Sequence, residues 1–297
     1  MIVSRIQGGL GNQMFQYAYV LYLAPRYDTQ LWLECSHVAS DPLRSLMLDR
    51  WRIDAPHITE HLRELVPSRY GGAGWKNWLR GRRPMRRVAE RPYGFQEKFL
   101  DPGDQVFLDG YWQSERFFPQ LRKSLQKCFQ PADDISPTTR AIAHKMSQGC
   151  SVSLHVRRGD YVTSEHTNSV HGICSREYYQ HCIDQLQSRT EAMHVYIFSD
   201  DPQWCRQNLV LGCPVTYVTH NGAERAHEDI WLMTHCRHHV VANSSFSWWG
   251  AWLRADDTGM VFAPERWFRS AELDTSSVVP ASWRRVANQG TTHSRAA

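Results

Sequence analysis

The sequence predicts an α/β protein of two domains, each built on a parallel β-sheet. Strand-like and helix-like runs alternate from residue 151 to 264, and this spacing is typical of a parallel sheet covered on both faces. The first half begins in the same way. Between the halves, residues 131–137 (PADDISP) combine two prolines with two acids, which indicates a linker. We therefore expect one domain at residues 1–133 and a second at 134–297.

The composition excludes several other classes of protein. Of the 297 residues, 42% are hydrophobic, so the chain can bury a large core and is not generally disordered. A net charge of +4 is too small to indicate a nucleic-acid binder. There is no apolar run of about 18 residues and no visible signal peptide. The eight scattered cysteines include no Cys-x-x-Cys pair, which suits a reduced, cytoplasmic environment.

The first predicted strand, residues 2–6, leads through the turn QGGLGN into a helix. Gly9 and Gly11 would let a phosphate approach the helix N-terminus, where N–H groups and the helix dipole favour an anion. Asn12 is an ordinary helix-start residue that could face the same ligand. The turn departs from G-x-G-x-x-G, because Met14 replaces the third glycine. Ligand binding and a simple tight turn are both consistent with this pattern.

The middle of the first domain becomes irregular from about residue 67 to 95. Within it, residues 75–87 (WKNWLRGRRPMRR) carry one lysine and five arginines around Trp75 and Trp78. Basic residues with interleaved tryptophan suit contact with an anionic membrane surface, and a solvated basic loop is the alternative. The expected location is the cytoplasm, with peripheral association at the inner face of the cytoplasmic membrane as a hypothesis.

The second half supplies its elements in regular order. The strand VSLHV is followed by the helix SREYYQHCIDQLQSR, for which Ser175 is the expected N-cap. Further strands are predicted at HVYIFS, PVTYV, HHVVA and MVFAP, with helices between them. In such folds ligands bind beyond the carboxyl ends of the strands. The motifs RRGDY, SDD and NSSFSWW all follow strand ends.

The strand at residues 151–156 runs into the charged cluster HVRRGDY. Arg157 and Arg158 could neutralise a diphosphate, since charge-assisted hydrogen bonds contribute roughly 1.5–3 kcal/mol each. Asp160 could orient an arginine through an ion pair or accept a proton, and His155 lies on the strand itself. A structural pair between an arginine and an aspartate is the alternative.

Two later strand ends also carry polar groups. Asp200 could accept a hydrogen bond from a guanine or a ribose, or FSDD could simply cap the next helix. Ser244, Ser245 and Ser247 open a helix, where hydroxyl and N–H groups can cradle a phosphate or merely cap the helix. No metal site is expected, because the chain has no Asp-x-Asp and because His238 and His239 alternate on a predicted strand.

Five motifs, taken in order, resemble those of the α-1,2-fucosyltransferases of glycosyltransferase family 11. They are GGLGNQMFQYA near the start, DGYWQSERFF at 109–118, HVRRGDY at 155–161, FSDD at 198–201 and VANSSFSWWGAWL at 241–253. The resemblance implies a GT-B-like fold, in which two Rossmann-like domains face an inter-domain cleft. It also implies inverting, metal-independent transfer of L-fucose from GDP-fucose to the 2-hydroxyl of a terminal β-galactoside, on a glycan or a lipid-linked oligosaccharide, without a cofactor.

The resemblance also assigns roles to the candidate residues. The first domain would bind the acceptor and the second GDP-fucose. Arg157 would hold the donor phosphates, His155 and Arg158 would shape that pocket, and Asp160 is a candidate base. Gly9, Gly11 and Asn12 would face the diphosphate from the first domain, the serines 244, 245 and 247 would complete the cradle, and Asp200 would recognise guanine.

Three competing interpretations remain: a fucosyltransferase of another linkage, a transferase of another GDP-sugar, and a lectin. The twelve tryptophans and twelve tyrosines could stack on sugars in a lectin. A lectin, however, has no need of a double arginine beside a serine cradle. The motifs therefore favour a transferase over a lectin.

Overall fold

The computed structural model describes residues 1–67, 85–190, 192–270 and 272–288, and the chain forms two units. The first comprises Met1–Ala132 together with Ser276–Val278, and the second comprises Asp133–Thr275 and Val279–Ala297. The chain thus passes between units at Ala132–Asp133, inside the predicted linker, and again on either side of Ser276–Val278. The expected acceptor role of the first unit and donor role of the second stay predictions.

The first unit contains, among its described residues, a four-stranded parallel sheet with the strand order β2-β1-β4-β3. Its strands are β1 (Ile2–Arg5), β2 (Leu31–Glu34), β3 (Arg86–Ala89) and β4 (Val106–Asp109). Its helices are α1 (Leu10–Arg26), α2 (Ser36–Ala39), α3 (Glu60–Arg63) and α4 (Arg122–Cys128), with 3₁₀ turns at Leu48–Arg50, Glu97–Phe99 and Glu115–Phe117. β4 lies between β1 and β3, so the last of these strands in the chain is placed next to the first.

The second unit contains, within the described ranges, a six-stranded parallel sheet with the order β10-β9-β8-β5-β6-β7. Its strands are β5 (Ser151–Val156), β6 (His194–Ser199), β7 (Val215–Val218), β8 (His238–Val240), β9 (Val261–Pro264) and β10 (Arg284–Val286). Its helices are α5 (Pro137–Ser147), α6 (Gly159–Thr163), α7 (Glu165–His171), α8 (Arg176–Gln187), α9 (Pro202–Asn208), α10 (Ala226–Met233) and α11 (Ser245–Trp252), with a 3₁₀ turn at Ala223–Arg225.

The strand order of the second unit is that of a Rossmann fold. Counted within the unit, β5 is the first strand and β8 the fourth, so the order is 3-2-1-4-5-6. The sheet reverses between β5 and β8, and open α/β sheets bind ligands beyond the carboxyl ends of the strands at such a switch point. The predicted α/β class with parallel sheets is confirmed.

Apolar side chains cover both faces of the second sheet. Val152, Leu154 and Val156 of β5 pack with residues of α8 on one face, whereas Tyr196 and Phe198 of β6 pack with residues of α5 and α10 on the other. Burying each such side chain contributes about 1.5–3 kcal/mol. Because both faces of the sheet are buried, β6 is a nearly continuous apolar run, whereas β5 alternates apolar residues with two serines and His155. This packing holds the carboxyl ends of the strands in fixed positions.

Several predictions from the sequence can be compared with the structure at this level. Ser175 caps α8 as predicted, with its side chain accepting from the N–H of Tyr178. All eight cysteines are free thiols. No helix in the described part of the chain is both long and apolar enough to cross a membrane. Residues 75–84 of the basic segment 75–87 lie outside the described residues, and Arg86 and Arg87 begin β3. Membrane contact by this segment stays a prediction.

Candidate active site

The carboxyl end of β5 carries Arg157, which forms an ion pair with Asp200 from the end of β6. Nη1 of Arg157 lies 2.8 Å from Oδ2 of Asp200. Oδ1 of the same carboxylate accepts from the backbone N–H of Arg158 at 2.9 Å. The parallel register that places Val156 opposite Ser199 brings these residues together. The Arg157 and Asp200 side chains are 24% and 26% exposed, so the pair borders solvent and is accessible to a ligand.

Arg158 is held by an acid and a ring. Its Nε lies 3.1 Å from Oδ2 of Asp201, and its guanidinium carbon lies 4.1 Å from the centre of the Trp204 ring. Oδ1 of Asp201 also caps α9 by accepting from the N–H of Trp204 at 3.0 Å. The structural Arg–Asp pairs and the helix cap, which were the alternatives to ligand binding, are therefore both present. They do not preclude ligand binding, because they fix the direction in which the arginines point.

The start of α6 lies against the Asp200 carboxylate. A Cβ at Gly159 would come within 2.6 Å of Oδ2 of Asp200, so this close approach requires glycine. Asp160 is the next residue of α6, but its side chain lies outside the described part of the structure. Its predicted role as a base or an arginine partner stays a prediction.

His155 is buried beneath the arginines. Its side chain is 5% exposed, and its ring centre lies 5.5 Å from that of Phe246 at the start of α11. Burial, with a smaller contribution from the charge of Arg157, lowers the pKa of His155 to about 3. The imidazole is therefore neutral near pH 7, so the positive charge of this motif resides on its arginines. The predicted catalytic contribution of His155 stays a prediction.

The predicted serine cradle forms the N-terminus of α11, directly after β8. Oγ of Ser244 accepts from the N–H of Phe246 at 3.3 Å, so Ser244 is the N-cap. Ser247 is buried, and its hydroxyl donates to the carbonyl of Ser244 at 3.4 Å. Ser245 is half-buried in the first turn. Since β8 neighbours β5 across the switch point, the positive end of the α11 dipole lies at the same sheet edge as the arginines.

Asn243 holds this turn in place, although the sequence motif pointed only to the serines that follow it. It is buried, and its Nδ2 donates to the carbonyls of His171 at 2.9 Å and Gly172 at 3.2 Å. Its own carbonyl accepts from the Tyr161 hydroxyl at 3.4 Å. Asn243 thus ties the turn after β8 to the helices that follow the arginines. An asparagine between a strand and an N-cap was the signal that could have revealed it.

In the first unit, the glycine-rich turn joins β1 to α1. Gly8 has φ of +76°, and a Cβ there would come within 2.7 Å of Nδ2 of Asn12. The carbonyl of Gly9 accepts from the N–H groups of Asn12 and Gln13, and a Cβ at Gly9 would meet nothing within 4 Å. Gly11 is buried in the first turn of α1. The conformation thus requires glycine at Gly8, while Gly9 leaves open space where a ligand could approach.

Asn12 joins this turn to the segment after β4. Its Oδ1 accepts from Nε2 of Gln113 at 2.6 Å. Below it, Gln16 of α1 accepts from the N–H of Gln7 at 2.9 Å and donates to the carbonyl of Gly110 at 3.2 Å. Two of the five sequence motifs, at the ends of β1 and β4, are therefore brought together. The predicted diphosphate contact of Gly9, Gly11 and Asn12 stays a prediction.

Metal-binding side chains do not cluster in the described residues: no group of three or more histidines, cysteines or acids is placed to hold an ion. The two adjacent strand histidines instead bind backbone groups. Nδ1 of His238 accepts from the N–H of Met260 at 2.9 Å, and Nε2 of His239 lies 3.1 Å from the carbonyl of Cys236.

The structure thus gathers Arg157, Arg158 and Asp200 at one edge of the second sheet, with the α11 N-terminus across the switch point. The second unit has Rossmann strand order, and both units have parallel α/β sheets. Two parallel α/β units of this kind are typical of the GT-B fold, which many glycosyltransferases share. Residues 94–286 match the family model described as glycosyl transferase family 11. The chain belongs to that family, which confirms the resemblance seen in its motifs.

Individual proteins show the same relationship. The chain is 31% identical to the α-1,2-colitosyltransferase of Escherichia coli, over 96% of this chain and 99% of that protein. It is 26% identical to galactoside 2-α-L-fucosyltransferase Sec1 of Mus musculus, over 87% of this chain and 66% of that protein. A crystal structure of the α-1,6-fucosyltransferase NodZ soaked with GDP-fucose matches its fold with a TM-score of 0.54 at 15% identity, covering 85% of this chain and 92% of that one.

Proposed function

We propose that the protein transfers L-fucose from GDP-fucose to the 2-hydroxyl of a terminal β-galactoside, with inversion and without a metal or cofactor. The observation that carries this proposal is Arg157, held by Asp200 at the switch point of a Rossmann-like unit in a family 11 chain. The relatives named as a galactoside fucosyltransferase and a colitosyltransferase support a deoxysugar donor and the 1,2-linkage. Fixed cations and backbone dipoles would take the place of a metal ion.

The proposed chemistry is a direct displacement. The acceptor oxygen forms a bond to the anomeric carbon while the bond from that carbon to the phosphate oxygen breaks, and GDP leaves with the electron pair. Arg157 and the N-terminus of α11 would stabilise the growing negative charge on GDP. Because the ion pair and the helix position them beforehand, these donors need no rearrangement in the transition state. The acceptor proton would pass to a base such as Asp160 or to the departing phosphate.

The contacts of Asp200 refine its predicted role. Both carboxylate oxygens accept from neighbours, one from the Arg157 side chain and the other from the Arg158 backbone. This arrangement favours Asp200 as a positioning residue for Arg157 over the guanine contact expected from sequence. Arg158, Ser244, Ser245 and Ser247 would complete the wall of the donor pocket, and His155 would support it as a neutral, buried group.

A second donor deserves a parallel test, because the colitosyltransferase relative covers nearly the whole chain. The purified protein is incubated in chelator with GDP-fucose or GDP-colitose and a set of β-galactosides that includes lactose and Gal-β1,3-GalNAc. With GDP-fucose as the donor, we expect GDP to be released only when an acceptor is present. We also expect an α-1,2-specific fucosidase to cleave the product. Activity that disappears in chelator and returns with magnesium or manganese would overturn the metal-independent mechanism. Calorimetric binding of free sugars without GDP binding would indicate a lectin instead.

A further inference from the structure

Tyr111 stands at the carboxyl end of β4 with its ring partly open to solvent. The residue is 37% exposed. Its Cε1 lies 3.4 Å from the position that a Cβ on Gly8 would take, so the ring lies beside the glycine-rich turn that leads into α1. β4 pairs with β1 in parallel, so the carboxyl ends of the two strands lie side by side. Tyr111 therefore lies at the carboxyl edge of the first-unit sheet, the edge at which open α/β sheets bind ligands.

A buried carboxylate holds the backbone that carries Tyr111. Oε2 of Glu90 accepts from the N–H of Tyr111 at 2.6 Å and from the N–H of Trp112 at 3.0 Å. Trp112 has φ of +56°, an uncommon conformation for a bulky residue. A Cβ at Gly110 would lie 2.5 Å from Cβ of Glu90, so the segments that follow β4 and β3 approach each other closely here. A strained turn that a buried acid holds at a ligand-binding edge is more typical of functional sites than of ordinary connections.

The residue after Trp112 connects this turn to the glycine-rich turn. Nε2 of Gln113 donates to Oδ1 of Asn12 at 2.6 Å, and its Oε1 accepts from the Tyr93 hydroxyl at 2.8 Å. Gln113 is 8% exposed, so this amide is itself well packed. The backbone that carries the aromatic ring and the neighbouring amide group are therefore fixed before any ligand arrives, which lowers the entropic cost of binding.

The acids near Tyr111 are largely neutralised. Burial, followed by the charges of Glu90 and Asp109, raises the pKa of Tyr111. Asp109, however, is bound by Arg5 of β1 at 2.7 Å and also by Arg87 of β3. Burial raises the pKa of Glu90 to about 7, so this acid is only partly ionised at neutral pH. An aromatic ring beside neutralised acids suits an uncharged sugar, whose hydroxyl groups can bind the polar atoms at this edge.

We propose that Tyr111 is the platform on which the terminal galactose of the acceptor packs, and that Glu90 is the positioning residue that holds this platform. The proposal rests on the proposed function and names the acceptor site of the same reaction. One face of a galactose ring consists largely of C–H bonds and packs on an aromatic ring, while polar groups beside the ring bind its hydroxyls. Tyr111 offers both kinds of surface, a ring and a phenolic hydroxyl.

The test separates acceptor binding from donor binding. Tyr111→Phe, Tyr111→Leu and Tyr111→Ala are compared with wild type in transfer to lactose or Gal-β1,3-GalNAc, and GDP affinity is measured by calorimetry. Loss of the ring in the Leu and Ala variants is expected to raise the acceptor KM about tenfold, the size of one aromatic contact, with GDP affinity unchanged. Tyr111→Phe keeps the ring and is expected to stay within about threefold of wild type. Tyr22→Ala on α1 is the matched control.

Glu90 is tested by the same assay. Glu90→Gln keeps an oxygen that can accept from both N–H groups, so its acceptor KM should match wild type. Glu90→Ala leaves both donors without that acceptor and should raise the acceptor KM while GDP affinity is retained. If Tyr111→Leu leaves the acceptor KM unchanged while wild type transfers normally, the platform is wrong and the proposed function stands. A wild-type protein that transfers neither donor sugar to any galactoside overturns both.

Discussion

Arg157 illustrates how a single charged residue is kept ready at a strand end. Its guanidinium lies between Asp200, at 2.8 Å, and the ring of Tyr161, at 5.4 Å from the ring centre. About a quarter of the side chain remains exposed. The neighbouring imidazole of His155 is neutral because burial lowers its pKa to about 3. In the proposed transfer, the positive charge beside the leaving phosphate would therefore come from the arginines.

Removal of Arg157 tests this role directly. Arg157→Ala should lower kcat/KM roughly 10²–10³-fold, the usual effect of losing one donor to a developing anion. Arg157→Lys should restore only part of the rate, because a lysine cannot make paired hydrogen bonds to a phosphate. Steady-state kinetics with GDP-fucose measure both, and Arg189→Ala, at an exposed position of the same unit, is the control. Near-normal turnover by Arg157→Ala would contradict the assignment.

At the scale of an element, the turn between β1 and α1 shows that adjacent glycines serve different purposes. Gly8 has positive φ and sits against Asn12, so it is required for the backbone path. Gly9 precedes the first residue of α1 with φ of −71° and ψ of 170°, a conformation that any residue adopts. Its missing side chain leaves space at the helix start instead. Motif spacing alone cannot distinguish these two uses of glycine.

The same substitution at both positions distinguishes them. Gly8→Ser should destabilise the fold by at least about 1–2 kcal/mol, because of the left-handed conformation and the contact with Asn12. Gly9→Ser should be neutral or slightly stabilising, since serine is a good N-cap. Thermal unfolding should show a fall in Tm of several degrees for Gly8→Ser only, at about 2–4 °C per kcal/mol for units of this size. Equal effects at the two positions would refute this explanation.

Across the whole molecule, burial sets the charge of groups that the sequence presents as ordinary acids. Burial raises the pKa of Glu90 from 4.5 to about 7, against the opposing effect of its bonds to the N–H groups of Trp112 and Tyr111. Burial likewise raises the pKa of Asp229 to about 7. The folded chain therefore retains protons at these acids that the unfolded chain releases. Stability from each such group is fully present below the ordinary pKa and is lost as the pH rises towards 7.

Comparison of wild type with Glu90→Gln isolates one of these groups. As the pH rises from 5 to 7.5, wild type should lose stability relative to the variant, by about 2 kcal/mol. The effects of Asp229 and His155 are common to both proteins and cancel in the difference. Urea unfolding followed by circular dichroism at the two pH values measures it. A difference in unfolding free energy that does not change with pH would show that Glu90 is already ionised at pH 5.

Periodicity and strand-end motifs located most elements of the second unit. The strand VSLHV became β5, and HVYIFS, PVTYV, HHVVA and MVFAP contain β6 to β9. Three strands were not predicted: β3 and β4 in the first unit and β10 in the second. The four residues of β3 begin with the exposed Arg86 and Arg87 and show no clear apolar alternation. Pairing with β4 rather than local pattern makes them a strand. For the same reason Glu90, which directly follows β3, carried no signal in the sequence.

By itself, the sequence determined the α/β class, the parallel sheets, the edge of the second sheet that carries the arginines, and the glycosyltransferase family. It could do so because alternating apolar runs and polar strand ends are local properties of the chain. Only the tertiary structure decided the partners of those residues. Arg158 and Asp200 are 42 residues apart, and they meet because β5 and β6 pair in parallel register. Glu90 becomes a buried acid only when β3 and β4 bring it under the Tyr111 turn, because the energetic cost of burying a charge depends on packing that no short segment encodes.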